Sequence, residues 1–328
     1  MDIFIQQLVN GLTLGAIYAL VALGYTMVYG ILGLINFAHG EIVMIGALTS
    51  LAAVKPLAGS GLPAVVVVLI GLAVAIVVCM ILGFTIERIA YRPLRRAPRL
   101  APLITAIGVS IVLQQLAMLI WGRNYHSVPP LLPAGTFEFL GATITEIQLI
   151  IIVVAAATMA GLMLLVNRSR LGCAMRATAE NPAIAGLMGV DVNRIISFTF
   201  IIGSALAALA GVLVSANYGI THYHMGFILG LKAFTAAVLG GIGNLAGAML
   251  GGVLLGLIEA LGAGYIGDAT NVCTLAYVLP GLDGLCAADP TQSLLGSNYQ
   301  DVFAFFVLIV VLIFRPSGLM GEKVAERA

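Results

Sequence analysis

Long stretches without a charged side chain dominate the sequence. These intervals lie between Asp2 and Glu41, Lys55 and Glu87, Arg99 and Arg123, Glu146 and Arg168, Arg194 and Lys232, and Lys232 and Glu259. About 20 apolar residues in a helix cross the hydrocarbon core of a bilayer, and every interval reaches that length. The runs are continuously apolar, whereas the strands of a membrane barrel would alternate apolar and polar residues. The pattern therefore predicts membrane-spanning helices.

The hydrophobic pattern predicts an all-α, polytopic transmembrane bundle that forms one domain over residues 1–328. Its nine segments are 4–30, 33–54, 64–86, 102–121, 144–166, 195–217, 227–242, 245–266 and 301–315. Segment 227–242 is too short to span comfortably, and 301–315 is also short. We therefore expect eight or nine crossings, with one or two broken or re-entrant helices. Glycine pairs four residues apart, such as Gly11 and Gly15, predict close contacts between helices.

Composition supports a membrane protein and excludes several functional classes. Hydrophobic residues make up 61% of the 328 residues and charged residues only 9%, whereas soluble domains carry about 25% charged residues. This composition excludes a soluble enzyme, a disordered chain and a nucleic-acid-binding protein. The net charge of +1 gives no indication of a polyanionic partner. The sequence has no P-loop motif GxxxxGK[ST] and no nucleophile–base or metal-ligand constellation, so we expect no ATP hydrolysis, enzymatic activity, cofactor or metal.

The basic residues predict how the chain is oriented in the membrane. Most of the 15 Lys and Arg residues fall in loop 87–101, loop 167–194 and the C-terminal tail. The positive-inside rule makes these segments cytoplasmic, and loop 267–300 then lies outside. The side of the N-terminus depends on whether a segment is re-entrant. Cys273 and Cys286 share the outer loop, where an oxidising compartment would pair them; the alternative is two free thiols.

Loop 167–194 contains a short helix with a clear start and stop. Asn181 is a favourable N-cap and Pro182 suits the first helical position. Ala185 lies within the apolar stretch, and Gly189 is well placed as a left-handed stop. The predicted helix over 182–188, flanked by Arg176, Glu180 and other charged residues, is either a docking surface for a partner or a connector resting on lipid headgroups.

Polar residues interrupt the apolar segments at a few positions. Glu41, Lys232 and Glu259 fall at membrane depth, where a charge costs several kcal/mol and needs a partner or a cavity. Lys232 and one of the glutamates form either an ion pair that orients helices or part of a polar pathway. The break from Asn36 through His39 to Glu41 is either a translocation site or a simple cytoplasmic turn.

Several stretches, in order along most of the chain, closely resemble the LivH-type permeases of branched-chain amino acid ABC importers. They are GLTLGAIYALVALGYTMVYGILGLINFAHGE (11–41), IERIAYRPLRR (86–96), the 167–194 loop, LKAFTAAVLGGIGNLAGAMLGG (231–252) and RPSGLMG (315–321). The general coupling motif of ABC permeases is matched only loosely, since Ala179 and Glu180 precede Asn181 and Pro182 rather than two alanines. Residues 268–297 are longer than the outer connection usual in the family.

The resemblance implies a permease subunit in the bacterial inner membrane for leucine, isoleucine and valine. It implies a homologous second permease of the LivM type, two cytoplasmic ATPases that engage loop 179–191, and a periplasmic amino-acid-binding protein. The substrate would pass small and polar residues such as Thr26, Asn36 and Thr235, together with His39 and the buried charges. A urea or amide importer of the same family and a self-sufficient secondary transporter are the alternatives.

Overall fold

The computed structural model describes residues 2–95, 97–98, 100–130, 135–139, 141–271 and 299–321, and within them the chain is an all-α bundle. The helices are α1 (Asp2–Leu32), α2 (His39–Leu57), α3 (Ala64–Ile86), α4 (Leu100–Trp121), α5 (Glu146–Arg168), α6 (Arg170–Glu180), α7 (Pro182–Leu187), α8 (Val192–Tyr218), α9 (Met225–Gly240), α10 (Leu245–Ala269) and α11 (Gln300–Phe314). A π-helical turn, Glu87–Tyr91, extends α3. Cys273, Cys286 and most of loop 267–300 lie outside the described residues.

Two short antiparallel strand pairs cap one end of the bundle. Strands β1 (His126–Ser127) and β4 (Ile220–Thr221) pair His126 with Thr221. Strands β2 (Thr136–Phe139) and β3 (Ala142–Thr145) pair Thr136 with Thr145.

Seven of the described helices are long and apolar enough to span a membrane: α1, α2, α3, α4, α5, α8 and α10. The shorter apolar helices α9 and α11 have 16 and 15 residues. At 1.5 Å per residue, 15 residues rise about 22 Å, which is less than a roughly 30 Å hydrocarbon core. The all-α polytopic prediction is confirmed, with each expected segment matched by a helix.

The start of the second segment differs from the prediction. The hydrophobic pattern predicts a helix from residue 33, but α2 begins at His39, and residues 33–38 are non-helical. Gly33 has φ +64°, which ends α1, and the Asn36 side chain accepts a hydrogen bond from the Ala38 backbone N–H at 3.1 Å. Asn36 and His39 are almost fully buried, so this segment re-enters the bundle and is not a simple surface turn.

Helix α1 lies at the centre of the bundle and packs closely against α10. A Cβ added to Gly15 would lie 2.7 Å from the Cα of Val253, and one added to Gly11 would lie 2.8 Å from the Cα of Leu257. Only a residue without a side chain lets the two backbones come this close. The glycine pair predicted to form a helix contact does so, whereas α3, α4 and α5 expose most of their apolar surface.

Contacts between chain segments show which loops share an end of the bundle. Gln6, near the start of α1, donates to the carbonyl of Thr143, which follows α4. At the opposite end, Arg95 donates to Asn193 at 2.6 Å, which joins the two arginine-containing loops. The segment after α11 lies at that same end, where Asn244 donates to the Met320 carbonyl.

Candidate translocation pathway and coupling surface

A buried ion-pair cluster joins four helices in the middle of the bundle. The Lys232 Nζ on α9 lies 2.7 Å from Glu259 Oε1 on α10 and 2.6 Å from Asp301 Oδ1 on α11. Tyr18 on α1 donates to the second oxygen of Glu259 at 2.9 Å. The Glu259 residue is only 1% exposed. The expected pairing of Lys232 with a glutamate is therefore present.

Sequence reasoning missed two members of this cluster. Asp301 directly follows loop 267–300, which is predicted to lie outside, but the structure puts it against Lys232 with its side chain 39% exposed. The length of α11 is the signal that could have found it, because a 15-residue apolar helix cannot span and one end has to lie at membrane depth. Tyr18 carries a weaker signal, because it is one of three tyrosines in a helix whose central part is mostly apolar.

A cavity of about 200 Å³ lies beside the cluster. Tyr18 and Lys232 line one part of it, and Tyr125, Tyr218 and His222 line the part nearest the strand pair β1–β4. The rings of Tyr125 and His222 stack with centroids 4.3 Å apart. A preformed apolar cavity of about 150 Å³ admits benzene, so this one has room for a small apolar side chain beside a charged group.

A second polar centre is built around the break before α2. Asn36 Oδ1 accepts a hydrogen bond from Tyr91 at 2.8 Å. Glu41 is fully buried, and its Oε1 accepts from Ser110 at 3.0 Å and from Gln114 at 2.7 Å, both on α4. Within the described residues, its Oε2 has no hydrogen-bond partner.

The structure thus divides the expected pathway residues into separate groups. Lys232 and Glu259 contact each other, whereas Glu41 is held by α4. His39 packs edge-on against the Tyr25 ring, with centroids 4.9 Å apart. The polar positions Thr26 and Thr235 are both buried, and the Thr235 hydroxyl donates to the Leu231 carbonyl of its own helix.

Between the two polar centres, helix backbones pack without intervening side chains. A Cβ added to Gly230 would lie 2.8 Å from the Cα of Gly40, and one added to Gly226 would lie 2.8 Å from Glu41 Oε2. The start of α9 therefore lies against the start of α2. Helix α9 is thus in direct contact with the end of the re-entrant segment.

The short helix α7 has the predicted caps. Asn181 Oδ1 accepts from the backbone N–H groups of Ala183 at 3.0 Å and Ile184 at 3.1 Å, and Pro182 is the first residue. Gly189 has φ +86°, the left-handed conformation that ends the helix. Leu187 and Met188 are 87% and 81% exposed, which gives this end of the bundle an exposed apolar tip.

One residue predicted for the coupling surface lies on the buried face of α7. Ala185 is only 3% exposed, and its carbonyl accepts from the Val190 backbone N–H at 3.0 Å. A six-residue helix buries one side against its neighbours, and the sequence does not show which side that is. Glu180 and Arg176 are exposed, and Arg176 also donates to the Val166 carbonyl.

A buried ion pair fixes the end of α3 beside the start of α8. Arg95 pairs with Glu87, which is fully buried and also accepts from Ser197 at 2.7 Å. Burial lowers the pKa of Arg95 from its usual value, and the nearby Glu87 carboxylate opposes that shift. Among the described residues, no group of three or more His, Cys, Asp or Glu side chains is placed to hold a metal ion.

Comparison with known proteins identifies close relatives over nearly the whole chain. The family model described as "Branched-chain amino acid transport system / permease component" matches residues 7–312. The high-affinity branched-chain amino acid transport system permease protein BraD of Pseudomonas aeruginosa is 47% identical over 99% of this chain and 98% of its own. The LivH permeases of Escherichia coli and Salmonella typhimurium are each 42% identical over 99% of this chain and 97% of their own. No solved structure matches.

Proposed function

Since this chain belongs to the branched-chain amino acid transport permease family, we propose that it carries leucine, isoleucine and valine through the membrane as a subunit of an ABC importer. The observation that carries this proposal is the 47% identity over almost the full length to a high-affinity permease of that class. The relatives are transport components, so the chain is a multi-pass membrane transport subunit and not an enzyme.

The buried cluster and its cavity form the outer part of the proposed pathway. Lys232 and the two carboxylates that contact it offer both signs of charge to a zwitterionic amino acid. The neighbouring cavity, with Val214, Met225 and Leu229 in its wall, suits an apolar side chain. Because the cluster joins four helices, opening the pathway toward the other end requires these helices to move as a unit or the ion pairs to separate.

The re-entrant segment supplies the second proposed part of the pathway. Asn36, His39 and Glu41 lie at depth, where polar backbone and side chains are tolerated only inside protein or beside water. Helix α9 contacts both this segment and the ion-pair cluster. We propose that α9 transmits movement between them, and that Thr26 and Thr235 line the passage between.

The proposed orientation places the arginine-containing loops and the C-terminal tail in the cytoplasm. Arg95 and Asn193 bring two of these loops together, and the segment after α11 lies at the same end. The start of α1 lies at the opposite end of the bundle, which supports the proposal that the N-terminus is outside. The bacterial inner membrane is the proposed location.

The proposed partners follow from the two ends of the bundle. The exposed Leu187 and Met188 of α7 insert into a cleft on a cytoplasmic ATPase subunit, so that ATP-driven closure moves α7 as a lever. A homologous second permease of the LivM type completes the pathway, a second ATPase binds that permease, and a periplasmic binding protein delivers the amino acid.

The exposed tip of α7 separates the importer from a self-sufficient transporter. A transporter without an ATPase has no use for two adjacent apolar side chains exposed to the cytoplasm. We expect the double variant L187D/M188D to assemble in the membrane but to lose binding-protein-dependent leucine uptake. The control is L62D, which places a single aspartate at an exposed leucine on the opposite end of the bundle.

The experiment measures uptake of labelled leucine by cells that express equal amounts of each variant. Normal uptake by L187D/M188D would contradict coupling through α7. Normal uptake by L62D is required for the loss to be specific. A urea or amide importer of the same family would instead take up labelled urea, and added leucine would not inhibit that uptake.

A further inference from the structure

We propose that the end of the bundle with the arginine-containing loops carries a binding site for the phosphodiester headgroup of an anionic phospholipid. The site is a cavity of about 310 Å³ between the end of α3 and the start of α8. Three guanidinium side chains line it: Arg88, Arg92 and Arg194.

The charges around the cavity leave a net positive surface. Arg194 Nε pairs with Asp191 at 3.0 Å, and Asp191 is the carboxylate that lines the cavity. Glu87 lies beneath and is satisfied by Arg95 and Ser197. In the part of the chain that the structure describes, no side-chain hydrogen bond or ion pair engages Arg88 or Arg92, so both remain available to a phosphate.

The apolar residues of the cavity lie on the membrane side of the arginines. Phe84, near the end of α3, precedes Arg88 of the following π-helical turn by four residues, and α3 runs toward this end. Phe198 follows Arg194 by four residues on α8, which runs away from it. Residues four apart share a helix face, so each phenyl ring lies one turn deeper than its arginine. Ile201 continues this surface.

This arrangement matches a phospholipid rather than a soluble anion. Arginine binds phosphate oxygens in a forked geometry, and basic pockets between membrane helices at the cytoplasmic face suit anionic headgroups. Phe84 and Phe198 are 38% and 48% exposed, as expected of side chains that contact acyl chains. Helix α3 is the least buried of the seven long helices, which leaves its surface open to lipid.

The test uses the assembled importer, purified in a mild detergent with equal amounts of phosphatidylglycerol and phosphatidylcholine. Retained lipids are identified by native mass spectrometry for the wild type and for R88Q/R92Q/R194Q. Each arginine near an anionic surface contributes about fivefold in affinity. We therefore expect R92Q alone to lower retained phosphatidylglycerol about fivefold relative to phosphatidylcholine, and the triple variant to lower it further.

The matched control is R168Q/R170Q, which removes two exposed arginines at the same end but outside the cavity. This control should retain phosphatidylglycerol as the wild type does, and millimolar inorganic phosphate should not displace it. Equal retention by the triple variant and the wild type would overturn the proposal. So would displacement by inorganic phosphate, which would assign a soluble anion. Loss of the ATPase subunits from the triple variant with unchanged lipid would assign the surface to protein docking.

Discussion

Removing the positive charge of Lys232 should destabilise the bundle strongly. In K232M, Glu259 keeps its place at 1% exposure but loses the ammonium 2.7 Å away. Breaking a buried pair by removing one partner costs about 3–5 kcal/mol, because an uncompensated charge stays behind. Asp301 also loses its partner, but its side chain is 39% exposed, so water limits that contribution to about 0–1 kcal/mol.

The double variant K232M/E259Q separates charge from packing. It removes both buried charges, while the new amide oxygen keeps an acceptor for the Tyr18 hydroxyl, which in the wild type donates to Glu259 at 2.9 Å. Replacing a buried pair by neutral side chains is often neutral for stability. We therefore expect the double variant to recover most of the stability that K232M loses.

The assay is thermal unfolding of the detergent-solubilised protein, followed by size-exclusion fluorescence. A loss of 3–5 kcal/mol corresponds to a melting shift on the order of 5–10 °C for a chain of this size. The buried pairing is refuted if K232M melts at the same temperature as the wild type. It is also refuted if the stability losses of K232M and E259Q add up in the double variant. Leucine uptake then distinguishes a pathway role of the pair from a purely structural one. We expect no uptake by the double variant; normal uptake would mean that the pair only orients the helices.

Three further predictions test packing, capping and orientation. G15L should abolish folding, because a side chain there would meet the α10 backbone, whereas G108A, with open space around it, should be tolerated; yield of monodisperse protein measures both. N181A removes two capping bonds and should destabilise α7 by about 1 kcal/mol, seen as faster hydrogen exchange over 182–188 in a complex that still assembles. Cys173 is exposed, and in a variant whose outer cysteines are serine it should react with an impermeant maleimide only from the cytoplasmic side; labelling from outside would invert the proposed orientation.

The apolar segments are sufficient to predict the long helices, because hydropathy dictates where a chain can cross a bilayer. The caps of α7 are also predictable, since Asn181 and Gly189 act through local backbone geometry. The start of α2 is not, because residues 33–38 are apolar enough to resemble a span. Their non-helical path depends on the φ of Gly33 and on the bond from Tyr91 to Asn36, which lies far along the chain.

Within the candidate site, the sequence indicates which charges need partners but only some of those partners. The cost of burying Lys232 predicts a carboxylate nearby, and Glu259 is one. Asp301 directly follows the outer loop and resembles part of it, because only tertiary packing brings the start of α11 to membrane depth. Ala185 shows the same limit on a smaller scale. In so short a helix, a small error in the predicted rotation about the helix axis turns an exposed position into a buried one.

The most direct measurement is accumulation of labelled amino acid by proteoliposomes that contain this chain assembled with the proposed second permease and ATPases, with the proposed binding protein outside. We expect leucine, isoleucine and valine to accumulate against a gradient only when ATP is in the liposome lumen, which corresponds to the cytoplasm. Urea should not accumulate. Accumulation of urea in place of leucine would contradict the substrate assignment. Leucine accumulation without ATP, or by L187D/M188D at the wild-type rate, would contradict an ATP-driven permease coupled through α7.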